Sequence, residues 1–289
     1  MKSFAVAFKS VYEIGLMKYG FKKIKGSRPY YVRCVGDEIV HVIAVQDAFT
    51  PKQGSTGIFY KAFWIVFGVA TVYRKEIELN VLPKDNQLWL NKLSDICYME
   101  HYCSKYDRKA CDEIIPHLFE YHGADEDAMV EVIRKSFELT EKYALPVLDH
   151  ITTLEECLKH FFKYNPIAIS IKDASDRYIQ GEVGGKYNEG LVCTLVYGGD
   201  RIKEYENAWI KVYQEANEDE LYYMNAGMSG ITIEEHSKNE TECEKKRKDR
   251  LILFDMLTST PECQEKIHRE LQQRKHNNIE ILRNCGLEV

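Results

Sequence analysis

No run in this 289-residue chain is apolar for long enough to cross a bilayer. The longest, AFWIVFGVATVY (Ala62–Tyr73), falls short of the ~20 residues that a spanning helix needs. The opening stretch carries Lys9, Glu13 and Lys18 at intervals, so it holds no uninterrupted apolar segment of the signal-peptide kind. An excess of positive charge is also missing. Lys and Arg number 39 against 45 Asp and Glu, giving a net charge of −6, which argues against a surface built as a whole for nucleic acid. Nine cysteines are an odd count without the spacing of a disulfide framework, in a chain too large to need staples, and they read as reduced thiols of a cytoplasmic protein.

Signatures of chemistry are sparse as well. H-E-x-x-H, G-x-G-x-x-G after a strand, and the G-x-S-x-G elbow are all absent. GEVGGKY (Gly181–Tyr187) lacks both the four-residue gap and the Ser or Thr after Lys186 that a phosphate-cradling loop requires, so it reads as a turn. No cofactor is expected. The basic run Lys245–Arg250 lies among Glu240, Glu242, Glu244 and Asp249, which is the pattern of a solvated helix laced with i,i+4 pairs. Nucleic-acid binding there is disfavoured, because no aromatic residues are interleaved with it.

What is present is a clear change of period. Phe4, Phe8, Val11, Gly15 and Tyr19 recur at helical spacing, and Gly20 is placed to end that helix in a left-handed conformation. From Tyr30 the period becomes two, with Gly36-Asp37 as a turn between two alternating runs that predict a β-hairpin. The apolar stretch 58–73 adds a long strand. Helical spacing resumes from about Leu88, where Trp89, Leu93 and Ile96 share a face, and Asp125 caps a stripe of Met129, Ile133, Phe137, Thr140 and Ala144. Pro146 is expected to kink or end that helix. Thr153 and Glu156 form a capping box ahead of a further helix, which Asn165-Pro166 stops. A last helix follows Pro261, with Gly286 past its end.

The expected fold is α+β: an N-terminal helix on a mostly antiparallel sheet of three or four strands, then a largely helical C-terminal region. A composition shift suggests domains over 1–165 and 166–289, with one continuous domain as the alternative. GLMKYGFKKIKGSRPYYVRCVGDEIVHVIAVQ and EKYALPVLDHITTLEECLKHFF resemble segments of the bacterial DUF4304 family, whose function is unknown. The likeness covers roughly the first half of the chain and implies the fold and a bacterial source. It transfers no catalytic residue.

Three clusters invite a chemical reading. CYMEHYCSKYDRKACDEIIPHLFEYH (Cys97–His122) is rich in Cys and His, but its spacings do not make the close ligand pairs that tetrahedral zinc needs. Laid on helices, Cys97 aligns with Leu90 and Leu93, and Cys111 with Ile114, Ile115 and Leu118, so these cysteines are expected in the core and no metal site is assigned. Cys157 and His160 stand three apart, as a nucleophile and base might, but no orienting third residue is evident. The third cluster lies on the hairpin, where Tyr31, Arg33, His41, Gln46 and Asp47 interrupt Val and Ile. These five are the candidate binding residues.

Two functions follow from different classes, and whether the chain is an enzyme stays open. The first is a non-enzymatic, cytoplasmic, protein-binding or accessory protein, an immunity-type role included. Its partner would be another protein, met through aromatics such as Trp89, Trp209, Tyr222 and Tyr223, with no membrane and an undetermined oligomeric state. The second is an enzyme or small-ligand binder with a pocket on the sheet around His41.

Overall fold

The computed structural model describes residues 3–24, 29–53, 59–73, 89–100, 102, 107–122, 125–157, 160 and 261–289. The fold is α+β. Its first helix, α1, runs through α-helix Phe4–Phe8, a π turn Lys9–Glu13 and α-helix Ile14–Met17. Ser3 caps its start by accepting from the Val6 amide, and Gly20 (φ 78°) lets the chain reverse after its end.

Among the described residues, six strands form one sheet: β1 Lys22–Lys23, β2 Tyr30–Val35, β3 Ile39–Gln53, β4 Phe59–Thr71, β5 Trp89–Lys92 and β6 Phe119–His122. They are ordered β1-β2-β3-β4-β5, with β6 also paired to β4. The β1–β2, β2–β3, β4–β5 and β4–β6 pairings are all antiparallel. The β2–β3 hairpin is the one expected, but its turn spans Gly36–Glu38, one residue more than the Gly36-Asp37 pair: Val35 faces Ile39, Gly36 has φ 61°, and the register sets Arg33 directly opposite His41.

The strand count corrects the expected three or four. Trp89–Lys92 is a strand bonded to Val66–Val69, and helical structure starts only at Leu93, as a 3-10 turn Leu93–Asp95 running into α2, Ile96–Met99. Phe119–His122 pairs with Tyr60–Phe63. Apolar spacing over so few residues fits a helix or a strand equally; the open edge of β4 decides between them, and that edge is a tertiary fact.

After α3 (Arg108–Ile114) comes α4, made of Glu126–Leu139, a second π turn Thr140–Ala144, and Leu145–Asp149. Asp125 caps it, its carboxylate accepting from the Ala128 amide at 2.9 Å. Pro146 does not end this helix. It sits in the first turn of the Leu145–Asp149 segment, just beyond the π turn. A proline lacks the amide that would bond four residues back, and a local change of pitch is how a helix absorbs that loss.

α1 and α4 cover one face of the sheet. Phe8, Tyr12 and Leu16 of α1, Met129 and Ile133 of α4, and Tyr31, Ile43, Val45, Phe63, Ile65 and Phe67 of the strands share one buried cluster. Gly15 makes the helix contact close, since a Cβ placed there would lie 2.0 Å from the Phe137 ring. The opposite face is buried too, at Val32, Val40, Val42 and Ala44. That is why β3 and β4 read as nearly continuous apolar runs.

Cys97 and Cys111 belong to the same core as Leu93, Ile96 and Ile115, as their spacing implies. Cys34, Cys97, Cys157 and Cys285 are free thiols, but Cys111 is disulfide-bonded. This corrects the reading of every cysteine as reduced. A large chain has no need of a staple, but size does not forbid one where two thiols approach and the surroundings are oxidising.

The chain divides into two units, one comprising Met1–Ala70, Glu78–Thr152 and Ile279–Val289, the other Thr71–Ile77 and Thr153–Asn278. The second unit contains the Thr153–Glu156 capping box, with contacts of 3.0 and 3.2 Å. It also holds most of α5, Pro261–Asn284, where Asn278 is fully buried and donates to the Val72 carbonyl at 2.8 Å. Gly286 past the end of α5 has φ 80°, as placed from sequence. The expected turn at Gly181–Tyr187, the solvated helix around Lys245–Arg250 and the Asn165-Pro166 stop lie outside the described residues. Among those residues no helix is long and apolar enough to cross a membrane.

Candidate functional site

Antiparallel pairing puts Arg33 and His41 side by side on the helix-covered face of the hairpin. The guanidinium is spent in three directions. Its Nε donates to His41 Nδ1 at 3.0 Å, one Nη donates to the Tyr19 carbonyl at 3.0 Å, and the other forms an ion pair with the Asp149 carboxylate. The plane also lies over the Phe21 ring, 4.7 Å from its centre.

This arrangement assigns the histidine tautomer. A guanidinium nitrogen can only donate, so Nδ1 must accept; the ring proton is then on Nε2 and is given to the Ile151 carbonyl at 2.7 Å. His41 is wholly buried, and that burial, reinforced by the Arg33 charge, lowers its pKa from 6.5 to about 4. The imidazole is therefore neutral at physiological pH with both nitrogens engaged. A base or metal ligand needs a free lone pair, which this ring does not have.

Three chain segments meet at these two side chains: the end of α1, the hairpin, and the end of α4 with Ile151. Tyr19 adds a fourth tie, its hydroxyl donating to Glu141 at 3.0 Å. The cluster is a clasp holding helix ends to the sheet.

The five candidate residues do not converge. Tyr31 shares the face of Arg33 and His41, but it lies deeper, beside Phe8 and Tyr12. Its hydroxyl is buried without a hydrogen-bond partner, and burial first, then the Glu13 charge, raises its pKa. Gln46 is on the opposite face of the sheet, where its side-chain oxygen accepts from the Trp64 indole at 2.6 Å. Lys92 lies over that indole, 4.4 Å from the ring centre. Asp47 is on β3, and its side chain is outside the described residues.

Comparison of the chain with protein-family models, curated proteins and solved structures finds no match. Function must therefore be argued from the residues themselves.

Two groupings escaped the sequence reading. The Tyr12 hydroxyl meets Ser136 at 2.9 Å and Thr140 at 3.1 Å between the two long helices, with its pKa raised by burial. Ser136 and Thr140 direct their own hydroxyl protons to the Ile133 and Ser136 carbonyls, so Tyr12 is the donor that joins the helices. In the second grouping Ser94, His117 and Lys92 adjoin, with Ser94 Oγ 3.4 Å from His117 Nδ1 and Lys92 Nζ 3.4 Å from Nε2. It looks like a nucleophile and base. However, a lysine ammonium only donates, so Nε2 must accept and Nδ1–H then points at the serine. A histidine in that tautomer cannot take the serine proton.

His122 is half-buried on β6, while His101 and Cys103 are outside the described residues. Cys157 and His160 are both buried. Among the described residues, no three His, Cys, Asp or Glu side chains stand together as a metal site would require.

Proposed function

We propose that this is a non-enzymatic protein whose work is to bind another protein, in an accessory or immunity-type role. The observation that carries the reading is a strip of exposed apolar side chains on α1. Val6, Ile14 and Met17 are 55%, 63% and 64% exposed, on the side of the helix turned away from Phe8, Tyr12 and Leu16. Single exposed apolar residues are ordinary, but three in line on one helix face are the kind of surface a partner covers.

The alternative, a ligand pocket around His41, has less support because both His41 ring nitrogens are engaged and each Arg33 nitrogen already serves His41, Tyr19 or Asp149. The likeness to the DUF4304 family belongs to the same proposal and rests on the quoted segments alone. Placement in the bacterial cytoplasm rests on the free thiols Cys34, Cys97, Cys157 and Cys285, and the bonded Cys111 counts against it.

A photo-crosslinking residue placed at position 14 tests the reading. The expected result is a discrete adduct with a protein, abolished by Val6→Glu with Met17→Glu and absent when the crosslinker is moved to exposed Lys135. No adduct from position 14 above that control would reject the proposal.

A further inference from the structure

We infer that the contact between Arg33 and His41 is a proton-operated latch: a proton on the imidazole turns the bond into a clash, and Arg33 then lets go of the turn that follows α1. The end of α4 stays attached. Neither event depends on what α1 binds.

The two ring nitrogens have different roles. Nδ1 accepts from Arg33 Nε at 3.0 Å, and Nε2–H is given to the Ile151 carbonyl at 2.7 Å. An incoming proton has one place to go, Nδ1, where it meets a group that also donates and also carries positive charge. The Ile151 contact keeps its direction, and a charged donor strengthens it. Protonation therefore breaks the ring's tie to Arg33 and spares its tie to the end of α4.

Among the described residues, the charged side chains that bear on the imidazole are Arg33 of β2, which opposes a proton, and Asp149 at the end of α4, which favours one. The turn after α1 brings the Tyr19 carbonyl and the Phe21 ring to the guanidinium. Two phenols are near, Tyr31 on the same face of β2 and Tyr19 bonded to Glu141, and both stay neutral in acid. His150, next along the chain from Asp149, is exposed. Arg33 has a way out: its side chain is 13% exposed and that of Asp149 51%, so the ion pair can turn toward solvent together. The Tyr19 carbonyl then loses its donor. The segment beyond it is held by few backbone bonds, from the Phe21 amide to the Leu16 carbonyl at 3.2 Å, through the two-residue strand β1, and from the Ile24 amide to the Tyr30 carbonyl at 2.8 Å. Such an edge belongs to the part of a fold that opens first. The buried Phe21 and Ile24 side chains keep the opening local.

Amide hydrogen exchange of the whole chain, followed residue by residue by NMR at about pH 6.5 and about pH 4 and corrected for intrinsic rates, separates the latch from general acid unfolding. The Phe21 and Ile24 amides should lose about fivefold of their protection, which is what relief of one pH unit in the His41 titration gives at the lower pH. The Ile151 amide, bonded to the Leu148 carbonyl at 2.9 Å, should keep its protection. The Arg33 Nε–H signal should move with the same midpoint as the His41 ring. In His41→Gln, which accepts and donates without titrating, the loss at Phe21 and Ile24 should vanish.

Unchanged protection at Phe21 and Ile24 while the His41 ring titrates would overturn the latch. Equal loss at Ile151 would do the same, because the whole unit is then opening, and so would an undiminished loss in His41→Gln. If that variant fails to fold, the natural chain decides alone: separate midpoints for the Arg33 and His41 signals reject the latch, and a shared midpoint with loss confined to the segment after α1 supports it.

Discussion

Acidification should destabilise this protein through His41, by an amount the clasp allows to be worked out. In the unfolded chain the imidazole titrates near 6.5, whereas in the fold burial and Arg33 hold it at about 4. Between those values the unfolded chain binds a proton that the folded chain refuses, so stability falls as pH drops through that window. At roughly 1.36 kcal/mol for each pH unit of separation, the full loss is about 3 kcal/mol, complete near pH 4 and absent above about pH 7. That is a large part of the 5–15 kcal/mol typical of a domain. The control is His41→Gln, whose amide can accept from Arg33 and donate to Ile151 without titrating. Urea unfolding followed by tryptophan fluorescence, repeated across the window, gives the slope for each protein. Groups that do not interact with residue 41 contribute equally in the two proteins and cancel in the difference. The variant should be somewhat less stable at neutral pH yet lose about 3 kcal/mol less on acidification. Parallel curves for the two proteins would refute the neutral, doubly engaged imidazole.

Four further outcomes are expected. Gly15→Ala should lower stability by about 1–3 kcal/mol in thermal unfolding, although an alanine normally favours a helix, because its Cβ meets the Phe137 ring; Phe137→Leu in the same chain should recover most of it. Tyr12→Phe should cost about 1 kcal/mol by chemical denaturation, since Ser136 and Thr140 keep their own backbone acceptors. Asp125→Ala should cost about 1 kcal/mol through the lost cap, with Asp125→Ser recovering most of it. Cys34, whose pKa burial raises to about 11, should react with iodoacetamide far more slowly in the native protein than in urea, as mass spectrometry of the labelled peptide will show.

The features readable in the sequence were those set by local chemistry. The Asp125 cap, the Thr153–Glu156 box and the glycines after α1 and α5 each depend on residues a few positions apart. Alternation placed Tyr31 and Arg33 on one face, and the three-residue turn then brought His41 beside Arg33. The same alternation already separates His41 from Gln46, so treating them as one site followed the region of the chain rather than the geometry of a strand. Other features depend on distant partners. Asp149 joins Arg33 across more than a hundred residues, and nothing near either one announces the other. β5 and β6 exist because β4 has room along its edge, and four-residue strands carry too little pattern to declare themselves. The π turns are similarly hidden, since one extra residue per turn leaves an apolar stripe almost unchanged.

The Arg33–His41 pair has a bearing on how the hairpin finds its alignment. β2 and β3 are made mostly of Val, Ile and Tyr, and sliding one past the other by two residues would keep every side chain on its own face. The apolar contacts would hardly distinguish the two alignments. After such a slip Arg33 would sit opposite Ile39 or Ile43, and a guanidinium would be pressed against hydrocarbon with its Nε unanswered. One polar pair thus selects a single alignment from several that the hydrophobic residues would accept.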